Sequence, residues 1–128
     1  MPVFTPDRFV SETSAVEGSA EPNQTLWVSE AGSLTQFGAF VEVLQPGCRS
    51  SLKHWHSAED EMVYVLAGEI TVVEGSAETL MRAGDAATFK AGAAVGHCLE
   101  NRSATPTFAK WGVLSPSARL TTNGVDMV

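Results

Sequence analysis

Cysteine, positive charge and long apolar runs are all scarce in this chain. Its two cysteines, Cys48 and Cys98, are too few for the disulfide framework of a small secreted domain, and they read as reduced thiols. Eight Lys and Arg stand against fifteen Asp and Glu, a net charge of −7. A protein that tracks a phosphate backbone or an anionic membrane needs clustered cations. Here they occur singly, so no nucleic acid and no membrane partner is expected. The longest apolar run, Met62 to Ala67, falls far short of the ~20 residues that span a bilayer. The opening Met1-Pro2-Val3-Phe4-Thr5-Pro6 carries neither the basic nor the apolar stretch of a signal peptide, which points to a cytoplasmic protein. Helical periodicity is missing as well, since no stretch sustains it over three turns.

What is present is β-prone. Hydrophobic residues make up 44% of the chain and charged residues only 18%, against roughly 25% charged in an average globular domain. A chain of 128 residues has room for one core. The shortfall of charge implies sheets buried on both sides, or a surface covered by another subunit. Residues 1–24 are polar, with Pro2, Pro6 and Pro22, and read as an N-terminal arm. Over 25–114 short β-prone runs recur, at 25–29, 37–44, 51–56, 61–66, 69–74, 77–81, 86–89, 96–101 and 106–114. Turns such as Gln45-Pro46-Gly47 and Ala83-Gly84-Asp85 separate them, the pattern of an all-β sandwich or barrel in one domain. Residues 115–128 are turn-rich and read as a C-terminal extension.

The run 61–66 speaks to packing. Alternation sends Glu61, Val63 and Val65 to one face and Met62, Tyr64 and Leu66 to the other. Both faces are apolar beyond the first residue, whereas a strand with one wet face alternates apolar with polar. The outer face is therefore expected to be covered, by the arm or by a second subunit.

The whole chain has three histidines, His54, His56 and His97. His54 and His56 stand at i and i+2, so on a strand they share a face with Cα atoms about 6.5 Å apart. Two imidazoles at that spacing can converge on one metal ion. Three acids follow, Glu59, Asp60 and Glu61. If Ser57 to Asp60 is a four-residue hairpin loop, residue 61 falls opposite residue 56 on the same face and Glu61 is the ligand candidate. His97 arrives from a later strand, with Asn101 at the same parity, while Cys98 points the other way. No C-x₂-C spacing offers a thiolate site. The direction of Trp111 stays open.

These residues resemble the two signature motifs of the cupin superfamily. The first reads Gly47, six residues, His54-Trp55-His56, four residues, Glu61, six residues, Gly68. The second reads Gly84-Asp85, four residues, Lys90-Ala91-Gly92, four residues, His97, three residues, Asn101. Lys90-Ala91-Gly92 stands where the family usually has Pro-x-Gly, a difference confined to a turn. The resemblance implies a double-stranded β-helix, the jelly-roll barrel of the cupins, and a homodimer. It also implies that His54, His56, Glu61 and His97 hold one divalent transition metal ion. Nitrogen and oxygen donors without sulfur suit Zn, Ni, Mn, Fe, Co or Cu. The function so implied is a metal-dependent enzyme acting on a small oxygenated substrate, of isomerase or epimerase, cyclase or dioxygenase type. The alternative is a metal-assisted binding protein for a small carboxylate or sugar, without turnover. A third reading is a storage-like or structural barrel that the metal only braces.

Overall fold

The computed structural model describes residues 1–114 and the strand at 125–127. In chain order the strands are β1 (Val10–Ser14), β2 (Asn23–Trp27), β3 (Gly38–Leu44), β4 (His54–His56), β5 (Glu61–Ala67) and β6 (Glu69–Glu74). They continue with β7 (Ala77–Arg82), β8 (Ala86–Phe89), β9 (His97–Glu100), β10 (Thr107–Val113) and β11 (Val125–Met127). A 3₁₀ turn at Pro6–Arg8 and the one-turn helix α1 (Val28–Ala31) are the helical pieces among the described residues. The strands make two antiparallel sheets, ordered β1-β2-β3-β10-β5-β8 and β11-β4-β9-β6-β7. Neighbours in each sheet come from distant parts of the chain, as in the pairing of β3 and β5 on either side of β10. This is the all-β double-stranded β-helix expected from the sequence.

Alternation drives the packing. On β5, Glu61, Val63 and Val65 turn inward and are buried, while Met62, Tyr64 and Leu66 are exposed. On β10, Thr107, Ala109, Trp111 and Val113 turn inward and Phe108 faces out. Leu44, Val63, Val65, Ile70, Val72, Met81, Leu99, Ala109 and Trp111 fill the space between the sheets. Burying a side chain of this size contributes about 1.5–3 kcal/mol relative to leaving it exposed. The chain passes from β5 to β6 through Gly68, at φ +85°. A Cβ there would stand 2.7 Å from the Pro106 carbonyl oxygen, so only glycine fits the bend.

Two expectations are corrected here. The segment 57–60 is not a hairpin loop: β4 and β5 lie in different sheets, β4 beside β9 and β5 between β10 and β8. Opposition of residues 56 and 61 within one sheet therefore does not occur. Nor does the N-terminal segment cover the outer face of β5. Its strand β1 pairs with β2 and extends the sheet at the far edge. Of the C-terminal extension, β11 runs antiparallel to β4, with Val125 opposite His56. The rest of that extension lies outside the described residues.

Candidate metal centre

The two sheets bring the sequence-selected residues together from opposite walls. His54 and His56 sit on β4, and His54 pairs with His97 on the adjacent β9. Glu61, the first residue of β5, reaches toward them from the facing sheet. One ligand atom from each of His54, His56 and Glu61 lies within 4.8 Å of the others. His97 joins them, its Nε2 at 2.7 Å from Glu61 Oε1. His56 Nε2 stands 3.3 Å from the same oxygen. His56, Glu61 and His97 are buried.

Neighbouring side chains aim the imidazoles. Phe89 stacks on His97 with ring centroids 3.7 Å apart and planes at 9°. His54 Nδ1 lies 2.9 Å from the Leu52 carbonyl oxygen. A carbonyl only accepts, so the ring proton belongs on Nδ1 and the Nε2 lone pair is left for a ligand. His56 turns Nδ1 toward Glu59 Oε1, 3.6 Å away. Glu59, within the segment 57–60 expected as a hairpin loop, is buried against His56, with Oε2 lacking a hydrogen-bond partner. Asp60 does stay at the surface, where it accepts a hydrogen bond from the Ala91 amide.

The charges agree with a cation site. Burial works against the Glu61 carboxylate, but His56 and His97 outweigh it and hold the group down at about 2. The carboxylate of Glu61 is the first cause that raises His56, with burial opposing. Burial lowers His54, which keeps it neutral and able to coordinate. Both ring nitrogens of His56 are buried and without a hydrogen bond. An orphaned buried nitrogen is costly, and a divalent ion among three imidazoles and one carboxylate would take up Nε2, the His56 nitrogen that faces Glu61. The donor set thus fits an ion that favours nitrogen and oxygen ligands.

Asn101 and the cysteines are elsewhere. Asn101 Nδ2 donates to the Leu44 and Thr105 carbonyls, and Oδ1 accepts from the Ser103 amide and hydroxyl. It braces a loop and does not face the histidines. Cys48 and Cys98 are free and buried, and burial pushes the Cys98 thiol up.

One acid escaped the sequence reading. Glu42 on β3 is buried, and its Oε1 accepts a hydrogen bond from Trp111 Nε1 at 3.0 Å. Burial pushes its carboxyl up to about 8, opposed by Trp111 and assisted by the charge of Glu61. The signal was a lone acid inside Ala39-Phe40-Val41-Glu42-Val43-Leu44. Beside Glu61 opens a pocket of about 500 Å³, bordered by Phe37, Met62, Phe89, Lys90 and Leu114.

Comparison with known proteins places this architecture. The family model described as a cupin domain matches residues 40–111, a span that takes in His54, His56, Glu61 and His97. No curated protein matches the chain. Among solved structures, a sugar phosphate isomerase from a cupin superfamily of Silicibacter pomeroyi is 32% identical, with a TM-score of 0.80, over 88% of this chain and 75% of that one. A predicted oxalate decarboxylase from Thermotoga maritima is 20% identical, with a TM-score of 0.75, over 89% of this chain and 99% of that one. An uncharacterized conserved protein with a double-stranded β-helix domain from Klebsiella pneumoniae is 22% identical, with a TM-score of 0.72, over 100% and 97%. At these identities the last two speak for the fold alone. With a family model over more than half of its length and a 32%-identical cupin structure, the chain belongs to the cupin family.

Proposed function

We propose that this cupin is a metal-dependent isomerase of a small hydroxy-carbonyl compound of the sugar class. The observation that carries the reading is the convergence of His54, His56, Glu61 and His97 in the barrel interior, with His56 Nε2 buried, facing Glu61 and without a hydrogen bond. In this reading those four residues hold one divalent transition metal ion. Such an ion, when bound, polarises a substrate carbonyl as a Lewis acid. The chain's own part is to hold His54 neutral, to keep Glu61 ionised, and to fix the rings through Phe89, Leu52 and Glu59. A small cavity lined by His56, Glu59, Phe89, Lys90 and His97 opens onto the cluster. Lys90 is the lysine among its described lining residues and in this reading meets an anionic substituent.

Isomerisation is favoured over cyclisation or dioxygenation because the 32%-identical Silicibacter protein is named a sugar phosphate isomerase. The test is to load the protein separately with Mn, Fe, Co, Ni, Cu and Zn. Each form is then assayed by NMR for interconversion of aldose and ketose pairs, with and without phosphate. Turnover by a loaded form, abolished by chelation, is the expected result. Tight metal and sugar binding with no interconversion would make the protein a binding module instead.

The active assembly in this reading is a homodimer. Met62, Tyr64, Leu66 and Phe108 form an exposed apolar row on the outer face of β5 and β10. A second copy of the chain would cover it.

A further inference from the structure

Glu74 of β6 lies one strand away from the histidines, on the inward face of the five-stranded sheet. In register, His54 on β4 is opposite His97 on β9, His97 is opposite Glu74, and Glu74 is opposite Ala77 on β7. Residues paired in this way share a face. Glu74 also has the parity of Ile70 and Val72, which pack in the core between the sheets. Glu74 itself is exposed, because it borders a cleft. Among the described residues β7 and β8 end their respective sheets. Between them lies a space of about 370 Å³, bordered by Val72, Glu74, Thr79, Met81, Ala87 and Phe89. That volume is within the ~300–1,000 Å³ of small-molecule sites. Glu74 and Phe89 also border the small cavity at His56 and His97, so these two side chains form the wall that both spaces share.

We propose that this cleft is a polyol subsite, which takes the hydroxylated end of a substrate whose carbonyl end lies at His54, His56, Glu61 and His97, with the Glu74 carboxylate accepting hydrogen bonds from its hydroxyls. The inference rests on the reading of those four residues as a metal-centred substrate site. Neighbouring strands stand about 4.8 Å apart, so a short sugar chain reaches from the imidazole cluster past Glu74. Glu74 and Asp85 are the charged residues of the described lining. Asp85 is committed to its own turn, where Oδ2 accepts the Arg82 amide. The Glu74 carboxylate makes no hydrogen bond or ion pair among the described residues, so its oxygens are left for a ligand. A carboxylate accepts hydrogen bonds and offers none, which matches hydroxyl donors and repels an anion. The Thr79 hydroxyl adds a second polar group, and Val72, Met81 and Phe89 give the carbon chain an apolar wall. Lys90 borders the histidine cavity instead. The two ends of the site therefore differ in sign, and the ligand class that fits the cleft is polyhydroxylated and free of negative charge there.

The experiment compares hydroxamates on the zinc-loaded protein by calorimetry, since this head group chelates the ion and the tail can be varied. Acetohydroxamate has no polar tail, threonohydroxamate carries a polyhydroxylated chain, and the monohydroxamate of succinate ends in a carboxylate. Glu74→Leu is expected to weaken threonohydroxamate by more than about 10-fold while leaving acetohydroxamate within about twofold. Glu74→Gln keeps a carbonyl acceptor without the charge. It is expected to bind threonohydroxamate better than Glu74→Leu does, and the succinate probe several-fold more tightly than the wild type does. Thr79→Val, which keeps the shape and removes the hydroxyl, is expected to weaken threonohydroxamate alone. Equal binding of threonohydroxamate by the wild type and Glu74→Leu would overturn the subsite. A parallel loss of acetohydroxamate in Glu74→Leu would also overturn it, because Glu74 would then act on the ion rather than on the tail. Failure of acetohydroxamate to bind the zinc-loaded wild type would overturn the metal-centred reading itself, and the subsite with it.

Discussion

His97 Nε2 lies 2.7 Å from Glu61 Oε1, and the two residues come from facing sheets. The contact ties β9 of the five-stranded sheet to β5 of the six-stranded one at the mouth of the site. It also concentrates a buried negative charge among three imidazoles, so the same interaction that clamps the barrel prepares it for a cation.

Loss of a direct ligand should cost more than loss of a group that only orients one. His56→Ala is expected to lower metal affinity by more than about 100-fold, and Glu59→Gln by about 10-fold, as for carboxylates that brace a ligating histidine. Competition against a fluorescent chelator reads both. Equal affinity for the two variants would show that Glu59 is itself a ligand, or that His56 is not.

Metal and protons compete for the same nitrogens. His56 has its proton affinity raised by Glu61, so acidification first protonates this ring and binding weakens as the pH falls from about 7.5 to about 5. Dialysis at the two pH values followed by metal analysis checks this. Retention unchanged at the lower pH would contradict histidine ligation.

Glu42 gives a stability effect of opposite sign to that of a salt-bridged acid. Its folded carboxyl is pushed up to about 8 from the ordinary 4.5. Between those values the unfolded chain has lost the proton that the folded chain keeps, so stability falls as pH rises through this window. Glu42→Gln removes the penalty. The variant should melt several degrees above the wild type at pH 8, on the order of a few kcal/mol, with the gain vanishing near pH 4.5. A gain independent of pH would mean that Glu42 is ionised in the fold.

The apolar row of Met62, Tyr64, Leu66 and Phe108 is the surface expected to join two copies. Tyr64→Glu places a charge in its middle, at a position exposed in the single chain. Multi-angle light scattering should show a dimer for the wild type and a monomer for the variant. A monomeric wild type would remove the dimer.

Alternation made most of the barrel legible beforehand. The runs at 37–44, 61–66 and 106–114 correspond to β3, β5 and β10 within a residue or two. β1 was hidden because Val10-Ser11-Glu12-Thr13-Ser14 is largely exposed and shows no apolar period. The inward parity of Glu61 could be read from Val63 and Val65, which share its face. Its encounter with His56 could not be read from a hairpin, because pairing between distant strands leaves no local mark. The burial of Glu59 against His56 and of Glu42 against Trp111 is tertiary in the same sense. Each acid looks ordinary in the chain until two sheets close over it.

The most direct test is the metal content of the protein as purified and after addition of each candidate ion, with spectroscopy of the bound ion. The account predicts about one equivalent of a divalent transition metal bound through imidazole nitrogen, lost in His54→Ala, His56→Ala and His97→Ala. Protein that carries no metal and takes none up would contradict it.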